Sequence, residues 1–525
     1  MKTDTGASRN EADRGAVKHP WLLFLGVATA PTMIGIDMLA IAVAIQPMAR
    51  DLRVGISTVQ WFLTAFALGN ACLLVTAGRL SDIFGRKKTI IAGLILFICS
   101  SLAIAVSGSA RFIVICRFIQ GASGGVMATT GIAILMSLYE GEARADWISR
   151  LVGMAGLGLV LGPIVGGGLV HVFGWRSVFL INPPIGLACI ALTVIHLPSQ
   201  GGRAGQKLDV PGVLLLTAAL LLLTMGLTQG HAWGWQSPKT LGSFLGAAIL
   251  LAALLQVEAR RDQPLIVMAL FRVRNFLAAN VAGFIAYFTF MASILIFGIY
   301  LQKVMGFSPG KAGLCFAPMG LTMAAASMAA GKAIKFRGAK PLIVAGFACG
   351  LAGFLGLSGM PVLPGWAFLA FFFALVGLGF GLVNASSIPA ALEFIPPEQA
   401  GIGSGKALMI RWLGGAIGSA VISTVFVGAT LAFLGRWDAA HPVFADPRTV
   451  KVLHDAVVGS RGESAVAALF TRADRALAAE AVRETSRQGM ITALRVLAAL
   501  SLAAGAAAQI WIEKKKNRNQ EEKRT

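Results

Sequence analysis

Two ionisable residues interrupt long apolar stretches of the chain, Asp37 within residues 21–45 and Arg117 within residues 111–137. A charge is costly among apolar groups, so an ionisable residue in such a stretch is a functional candidate by default. A carboxylate whose surroundings differ between two conformations can bind a proton in one and release it in the other. We therefore predict that Asp37 and Arg117 couple to protons, with a purely structural ion pair as the alternative.

A third charge inside or near an apolar region is Arg411, the candidate charged residue of the second half of the chain. The six cysteines all lie in apolar segments and none forms a CxxC pair, so neither disulfides nor a zinc site are predicted. The sequence has no GxxxxGKS/T loop, no HExxH pair and no catalytic-triad pattern. We expect no enzyme activity, no metal and no cofactor, and a proton gradient in place of ATP as the energy source.

The composition indicates a chain whose main solvent is lipid. Hydrophobic residues make up 56% of its 525 residues and charged residues only 13%, too few to cover a soluble protein of this size. A formal charge of +21 would indicate nucleic acid as the partner of a soluble protein. Here the basic residues lie mainly in short connections between apolar runs, so they indicate membrane topology, with lipid and not nucleic acid as the neighbour.

Apolar length predicts an all-α integral membrane fold, because a helix needs roughly 20 apolar residues to cross the hydrocarbon core. The predicted spans are 21–45, 57–77, 90–107, 111–137, 148–170, 177–196, 211–230, 241–257, 275–301, 311–330, 342–359, 365–391, 403–431 and 489–511. We group them into an N-terminal six-helix bundle (21–196), two additional helices with linkers (197–274) and a C-terminal six-helix bundle (275–511).

The distribution of Lys and Arg predicts the orientation of these spans. Cytoplasmic loops carry an excess of basic residues, and an arrangement with both termini cytoplasmic places most of them on that side. Residues 1–20 are then a cytoplasmic segment, and residues 512–525 are a basic tail that can contact anionic headgroups. A long outer loop is predicted for 432–488, with its Ala-rich part, 463–487, helical. We expect a multi-pass protein of the cytoplasmic (inner) membrane.

Two segments echo each other at equivalent connections. Residues 78–87 read GRLSDIFGRK and residues 331–340 read GKAIKFRGAK, so both glycines recur while the acidic residue is lost. Many secondary transporters are built from repeated halves, with the substrate site at mid-membrane between two bodies that rock against each other. The echo supports two related bundles.

The first of these segments resembles the loop motif of the major facilitator superfamily, which reads Gly, any, Leu, any, Asp, basic, any, Gly, basic, basic. The matching residues are Gly78, Asp82, Gly85, Arg86 and Lys87. Ile83 departs from the motif, which usually has a basic residue there. The resemblance implies a gating latch between helix ends. A connector that only sets orientation is the alternative, but it would not require both glycines and the aspartate.

Two further segments resemble those of exporters in this superfamily. The fifth-helix signature is matched by Gly158, Gly162, Pro163, Gly166 and Gly167. Small residues let helices approach closely and proline bends a helix, so a packing face is the alternative. Residues 174–186, GWRSVFLINPPIG, are similar to a segment typical of the fourteen-helix drug:proton antiporters. This resemblance implies two six-helix bundles plus two additional helices.

The resemblance also covers the charged residues of the first bundle. Arg117 matches a fourth-helix motif whose arginine is implicated in proton transfer, and Asp37 matches the first-helix acid of drug exporters. Leu39, Ala42 and Gln46 replace the residues usual around that acid. The pocket is therefore expected to differ from that of a typical relative.

Together these features predict a secondary active transporter, a proton-coupled antiporter that exports small lipophilic or cationic compounds as in multidrug efflux. Its partners are the small-molecule substrate, protons and membrane lipid; the sequence holds no signal for a periplasmic adaptor. The alternatives are a dedicated exporter of one endogenous metabolite, an uptake symporter and a non-transporting sensor, because a fold alone does not choose a function. The fifth-helix signature favours export over uptake.

Overall fold

The structure is a computed structural model that describes residues 19–139, 141–198, 209–260, 268–361, 364–395, 400–440 and 472–513. All regular elements in these ranges are helical. They are α1 (Pro20–Leu52), α2 (Ile56–Phe84), α3 (Arg86–Val106), α4 (Ala110–Leu138), α5 (Gly141–Phe173), α6 (Ser177–Leu180), α7 (Asn182–His196), α8 (Val210–Trp233), α9 (Pro238–Ala259), α10 (Met268–Phe271), α11 (Arg274–Ile299), α12 (Pro309–Arg337), α13 (Lys340–Ser358), α14 (Trp366–Leu392), α15 (Ala400–Ala440) and α16 (Arg472–Trp511). A turn of π-helix, Tyr300–Val304, extends α11.

The predicted all-α membrane fold is confirmed. In the described part of the chain, 13 helical stretches are long and apolar enough to cross a membrane, with α6 and α7 counted together. Helix α2 brings the number to 14 when its two parts, Thr58–Leu74 and Thr76–Phe84, are counted as one span bent by 55°. The count therefore agrees with the fourteen spans predicted from apolar length.

Several helices are longer than the predicted spans. Helix α1 continues past residue 45 to Leu52, and α15 and α16 both extend into the predicted loop 432–488. A helix satisfies its backbone hydrogen bonds internally, so it can continue with polar side chains beyond the hydrocarbon core that sets the apolar length. The predicted helix in the Ala-rich segment is confirmed from residue 472 onward, and 463–471 lie outside the described residues.

The predicted single helix over 177–196 is wrong in one respect, because the structure breaks it at Ile181 into α6 and α7. Pro183 and Pro184 follow the break in the first turn of α7. Proline has no N–H to donate to a preceding turn but fits a helix start, so the pair ends one helix and begins the next.

Glycines allow the helices of the first bundle to touch backbone to backbone. A Cβ on Gly121 of α4 would lie 2.0 Å from the Phe66 carbonyl oxygen of α2, and a Cβ on Gly69 of α2 would lie 2.1 Å from the Phe118 carbonyl oxygen of α4. Helix association in lipid relies on such close packing, because lipid tails are as apolar as the side chains.

The second bundle uses the same device between its own helices. Gly377 of α14 approaches the Met319 carbonyl oxygen of α12, and Gly414 of α15 approaches the Phe284 carbonyl oxygen of α11. The echoed connections also match, since Gly85 and Gly338 both have positive φ, 85° and 74°. That backbone conformation favours glycine. The shared geometry supports the repeat inferred from the sequence.

We call the end of the molecule that carries the α2–α3 connection the motif end. The two bundles make close backbone contact near the opposite end. Away from the motif end, a Cβ on Gly313 of α12 would lie 2.2 Å from the Pro163 carbonyl oxygen of α5, and a Cβ on Gly298 of α11 would lie 2.5 Å from the Ala42 carbonyl oxygen of α1. Closer to the motif end, a Cβ on Gly156 of α5 would lie 3.9 Å from the Ala324 Cβ of α12. Helices α5 and α12 thus approach more closely at one end of their seam than towards the other.

Helices α8 and α9 pack against each other and along the second seam, between α2 and α15. Gln60 of α2 donates to the Thr228 hydroxyl of α8 at 3.2 Å. Thr424 of α15 donates to the Leu227 carbonyl oxygen of α8 at 2.8 Å. Helix α8 is therefore hydrogen-bonded to one helix of each bundle, through its neighbouring residues Leu227 and Thr228.

We expect Gly121→Ala to lower the stability of the folded protein by about 1–3 kcal/mol, because the added methyl overlaps backbone that cannot rotate away. The matched control is Gly153→Ala, another helical glycine, whose added methyl meets no atom within 4 Å. The measurement is the apparent melting temperature of the detergent-solubilised protein. Equal melting temperatures for the two variants would contradict the close approach of α2 and α4.

Candidate functional site

The predicted pair, Asp37 and Arg117, forms the centre of a buried polar network in the first bundle. The Arg117 guanidinium donates to Asp37 Oδ2 in an ion pair whose side chains are both 0% exposed. Asp37 Oδ1 accepts one hydrogen bond from the Gln120 amide and one from the Asn182 amide, each at 3.1 Å. The carboxylate is therefore held by donors from α4 and α7 together.

Ser101 of α3 completes this network. Its hydroxyl oxygen accepts hydrogen bonds from the Gln120 amide at 2.7 Å and from the Asn182 amide at 3.1 Å. Asn182 is the first residue of α7, directly after the break at Ile181. The break thus places a side-chain amide against the carboxylate, and α1, α3, α4 and α7 converge on one site.

Arg117 is bound by more than its carboxylate partner. Its Nε donates to the Phe62 carbonyl oxygen of α2 at 2.9 Å, and one terminal nitrogen also donates to Gln120 Oε1 at 2.6 Å. The guanidinium carbon lies 4.4 Å from the centre of the Phe66 ring and 5.8 Å from that of Phe179. Ring faces attract cations, so the aromatic contacts hold the guanidinium in place independently of the ion pair.

Every hydrogen bond that the structure describes at the Asp37 carboxylate is donated to it by a neighbouring helix. The ion pair is electrically neutral, which is the form in which charges are tolerated inside a bundle. A proton on Asp37 would leave the Arg117 charge without its counterion, and the amides that donate to the carboxylate would have to rearrange. A coupling of protons to helix positions at Asp37 stays a prediction.

The fifth-helix glycines hold the helix that carries Asp37. Gly158, Gly162 and Gly166 of α5 all face α1. Their nearest atoms on α1 are the Thr32 carbonyl oxygen, the Ile36 carbonyl oxygen and the Ala40 Cβ, respectively. The signature thus packs against α1 on both sides of Asp37.

The remaining two residues of that signature face the other bundle. A Cβ on Gly167 would lie 2.9 Å from the Pro309 carbonyl oxygen, and the Pro163 carbonyl oxygen faces Gly313. Helix α5 therefore touches the Asp37 helix with one set of small residues and α12 with another. Because α5 contacts both α1 and α12, a shift of α1 that moves α5 would also change the contacts at the seam between the bundles.

The loop motif places a cation on the end of α7. Lys87 Nζ donates to the Val194 carbonyl oxygen at 2.7 Å and to the Leu197 carbonyl oxygen at 2.6 Å. Carbonyl groups at a helix C-terminus lack partners within the helix, and a lysine there also complements the helix dipole. Lys87 therefore ties the start of α3 to the end of α7, within one bundle.

The other residues of the motif surround the turn between α2 and α3. Asp82 and Arg86 are half-buried at this turn, and the Ser81 hydroxyl donates to the Gly78 carbonyl oxygen at 2.7 Å. A Cβ on Gly78 would meet no atom within 4 Å, so this conformation does not itself require glycine there. A gating role for Asp82 stays a prediction.

The segment GWRSVFLINPPIG, which contains Asn182, also contacts α1 at the end of the molecule away from the loop motif. Trp175 Nε1 and an Arg176 guanidinium nitrogen both donate to Asp51 Oδ2, at 2.9 and 2.7 Å. Asp51 lies at the end of α1, so this segment fixes α1 at its terminus and, through Asn182, near its middle. The sequence of this segment indicates the family but does not predict its contacts with α1.

Arg411 lies apart from this network, in the second bundle. Its terminal nitrogens donate to Asn384 and Ser387 of α14. The contacts resolved for the described residues do not bring it to Asp37 or Arg117 directly. Within the same ranges, no group of three His, Cys, Asp or Glu side chains is placed to hold a metal ion.

A family model described as Major Facilitator Superfamily matches residues 25–419. The chain is 30% identical over 492 residues to a tetracenomycin C resistance and export protein of Streptomyces glaucescens, a match that covers 93% of this chain and 91% of that protein. It is 27% identical to the multidrug transporter protein MdtP of Bacillus subtilis, over 77% of this chain and 75% of that protein.

Among solved structures, the fold is similar to a bacterial homologue of the human lysosomal transporter Spinster, described as inward-facing and unoccupied. The TM-score is 0.65 at 15% sequence identity, and the match covers 95% of this chain and 100% of that chain. At this identity the likeness concerns the fold alone.

The ion pair predicts that substitutions of Asp37 and Arg117 have non-additive effects on stability. Removing one member of a buried pair costs about 3–5 kcal/mol because the other charge is left unpaired, whereas removing both is far milder. We expect Asp37→Asn and Arg117→Gln each to lower the apparent melting temperature of the detergent-solubilised protein. The double variant should melt above at least one single variant. Simple addition of the two losses would contradict the pairing.

Proposed function

The chain belongs to the Major Facilitator Superfamily, and from this premise we propose that it exports small lipophilic or cationic compounds in exchange for protons. The observation that carries the proposal is the buried Asp37–Arg117 pair, which is shared among helices that also touch the other bundle. Two relatives are named for resistance and export or for multidrug transport, which supports export as the direction.

The proposed orientation puts the motif end in the cytoplasm. Both termini then lie inside, in the cytoplasmic (inner) membrane, as the distribution of basic residues favours. The seam between α5 and α12 is packed less closely towards the motif end than at the other. In our proposal, this arrangement is the state that receives substrate from the cytoplasm, which is the loading state of an exporter.

Proton exchange follows from the network in this orientation. Once the bundles rock to expose the site outward, a proton binds Asp37 and substrate leaves. Return to the inward-facing state re-forms the ion pair with Arg117 and releases the proton to the cytoplasm. Each transition changes the contacts of α1 with α5. Proton binding at Asp37 and the packing of α5 against α12 are therefore linked through the positions of these helices.

A dedicated exporter of one compound is the second candidate. It is favoured by the relative named for a single antibiotic, which is similar along nearly its whole length. The residues that depart from the usual pattern around Asp37 also allow a narrower pocket. The proton mechanism would be the same, and only the range of substrates would differ.

We expect cells that express this chain to export ethidium, and an uncoupler that collapses the proton gradient to stop the export. Asp37→Asn should abolish this gradient-driven export. The matched control is Asp51→Asn, the same substitution near the end of the same helix, where the carboxylate is half-exposed. That variant should retain most of the activity.

Reconstituted vesicles separate coupling from folding. Asp37→Asn should still exchange labelled for unlabelled ethidium across the membrane, because substrate exchange requires rocking but no net proton movement. Gradient-driven export that persists in Asp37→Asn would contradict proton coupling at this residue. Export of no dye by the wild type, with or without a gradient, would favour the dedicated exporter.

A further inference from the structure

Arg411 is a buried charge whose resolved partners are all neutral. Its side chain lies on α15 and the residue is 3% exposed. One terminal nitrogen donates to Asn384 Oδ1 at 3.0 Å and the other to the Ser387 hydroxyl, while the guanidinium carbon lies 6.0 Å from the centre of the Tyr287 ring. In the part of the chain that the structure describes, no carboxylate forms an ion pair with Arg411.

This environment differs from that of Arg117 in one essential respect. Amide, hydroxyl and aromatic groups satisfy the hydrogen-bonding capacity of a guanidinium, but they do not neutralise its charge. Arg117 has the Asp37 carboxylate for that purpose. Buried charges are normally paired, so an arginine held by neutral groups lacks an anion.

The position of Arg411 makes the interface between the bundles the place from which an anion would arrive. The next residue, Trp412, packs on Phe66 of the first bundle with ring centres 6.1 Å apart, and on Tyr287 at 5.8 Å. Tyr287, Asn384 and Trp412 are half-buried whereas Arg411 is buried. The guanidinium therefore lies just behind groups that border the space between the bundles.

Two partly exposed rings lie beside the guanidinium, those of Tyr287 and Trp412. Tyr287 is backed by the buried Phe380, with ring centres 5.2 Å apart, and Phe380 stacks on Phe290 at 3.9 Å. Aromatic side chains form favourable stacked and edge contacts with other aromatic rings. An aromatic compound is thus a chemical class that suits the position beside this cation.

The arginine stem is held in position by the facing helix. A Cβ on Gly283 of α11 would lie 3.0 Å from Arg411 Nε and 3.2 Å from its Cγ, so the stem runs directly over this glycine. A guanidinium fixed in this way loses little freedom when it binds a ligand. Its planar fork suits a carboxylate, to which it can donate two parallel hydrogen bonds.

We propose that Arg411 binds the acidic group, a carboxylate or phenolate, of an aromatic compound that the protein exports. The inference rests on the proposed function and extends its substrate class from lipophilic cations to aromatic anions. The anion supplies the counterion, and Tyr287 and Trp412 supply ring contacts. Because Trp412 also touches Phe66, which lies beneath the Arg117 guanidinium, the ligand is next to the contact that joins the two bundles.

The test is equilibrium binding of two xanthene dyes to the purified full chain in lipid nanodiscs, followed by fluorescence polarisation. Fluorescein carries a carboxylate and a phenolate, whereas rhodamine 6G has a related core and a positive charge. We expect Arg411→Gln to weaken fluorescein binding at least about tenfold, the value of a lost charge-assisted contact, and rhodamine 6G binding less than about twofold. The control, Arg495→Gln, removes an exposed arginine of α16 and should change neither.

Folding of each variant is checked by its elution profile and melting temperature. If Arg411→Gln does not fold, Gly283→Ala takes its place, because the added methyl displaces the guanidinium and leaves its charge. That variant should weaken fluorescein binding selectively. No binding of fluorescein by the wild type, or equal effects on both dyes, would overturn the proposal.

The result is separable from the proposed function because equilibrium binding needs no transport. Arg411-dependent binding of fluorescein without gradient-driven export of either dye would retain the anion site and reject proton-coupled export. Gradient-driven export of rhodamine 6G without Arg411-dependent fluorescein binding would do the reverse. The two experiments therefore fail independently.

Discussion

The constraint on which the first bundle depends is that a carboxylate buried among apolar helices must be neutralised where it lies. Asp37 achieves this with one guanidinium and two amides, which come from helices distant in sequence. Meeting that requirement fixes where α4 and α7 stand relative to α1. Asn182, which supplies one of the two amides, is the first residue of α7.

Backbone contact between helices is the second requirement, and it follows from the solvent. Lipid gives apolar helices no reason to prefer each other, so association depends on close packing. Glycines of α2 and α4 in one bundle, and of α14 and α15 in the other, lie directly against the carbonyl oxygens of neighbouring helices. The same principle applied between bundles, at α5 and α12, gives a surface that can part and re-form without exposing polar side chains.

The number of spans and the two buried, paired charges were predictable because both depend on strong local signals. An apolar run of membrane length and a charge within it are hard to explain otherwise. Gln120, Ser101 and Asn182 were not identified as members of the site, although all three are polar residues in apolar spans. Neutral polar side chains are tolerated there far more often than charges, and their partners depend on helix rotation, which composition does not encode. The predicted ends of α1, α15 and α16 were wrong because an apolar run shows only which residues lie in the hydrocarbon core. A helix can continue beyond that core with polar side chains.

The two additional helices change how the rest of the protein meets the bilayer. A pair of six-helix bundles has two lateral seams, and here α8 and α9 lie along the one between α2 and α15. A lipophilic molecule dissolved in the membrane is screened from that side. The seam between α5 and α12, which is packed less closely at Gly156 than at Gly313, is the seam that α8 does not cover. A substrate that enters from the lipid would then reach the protein on its α5–α12 side and not on its α2–α15 side. The two lateral faces of the protein would differ in function.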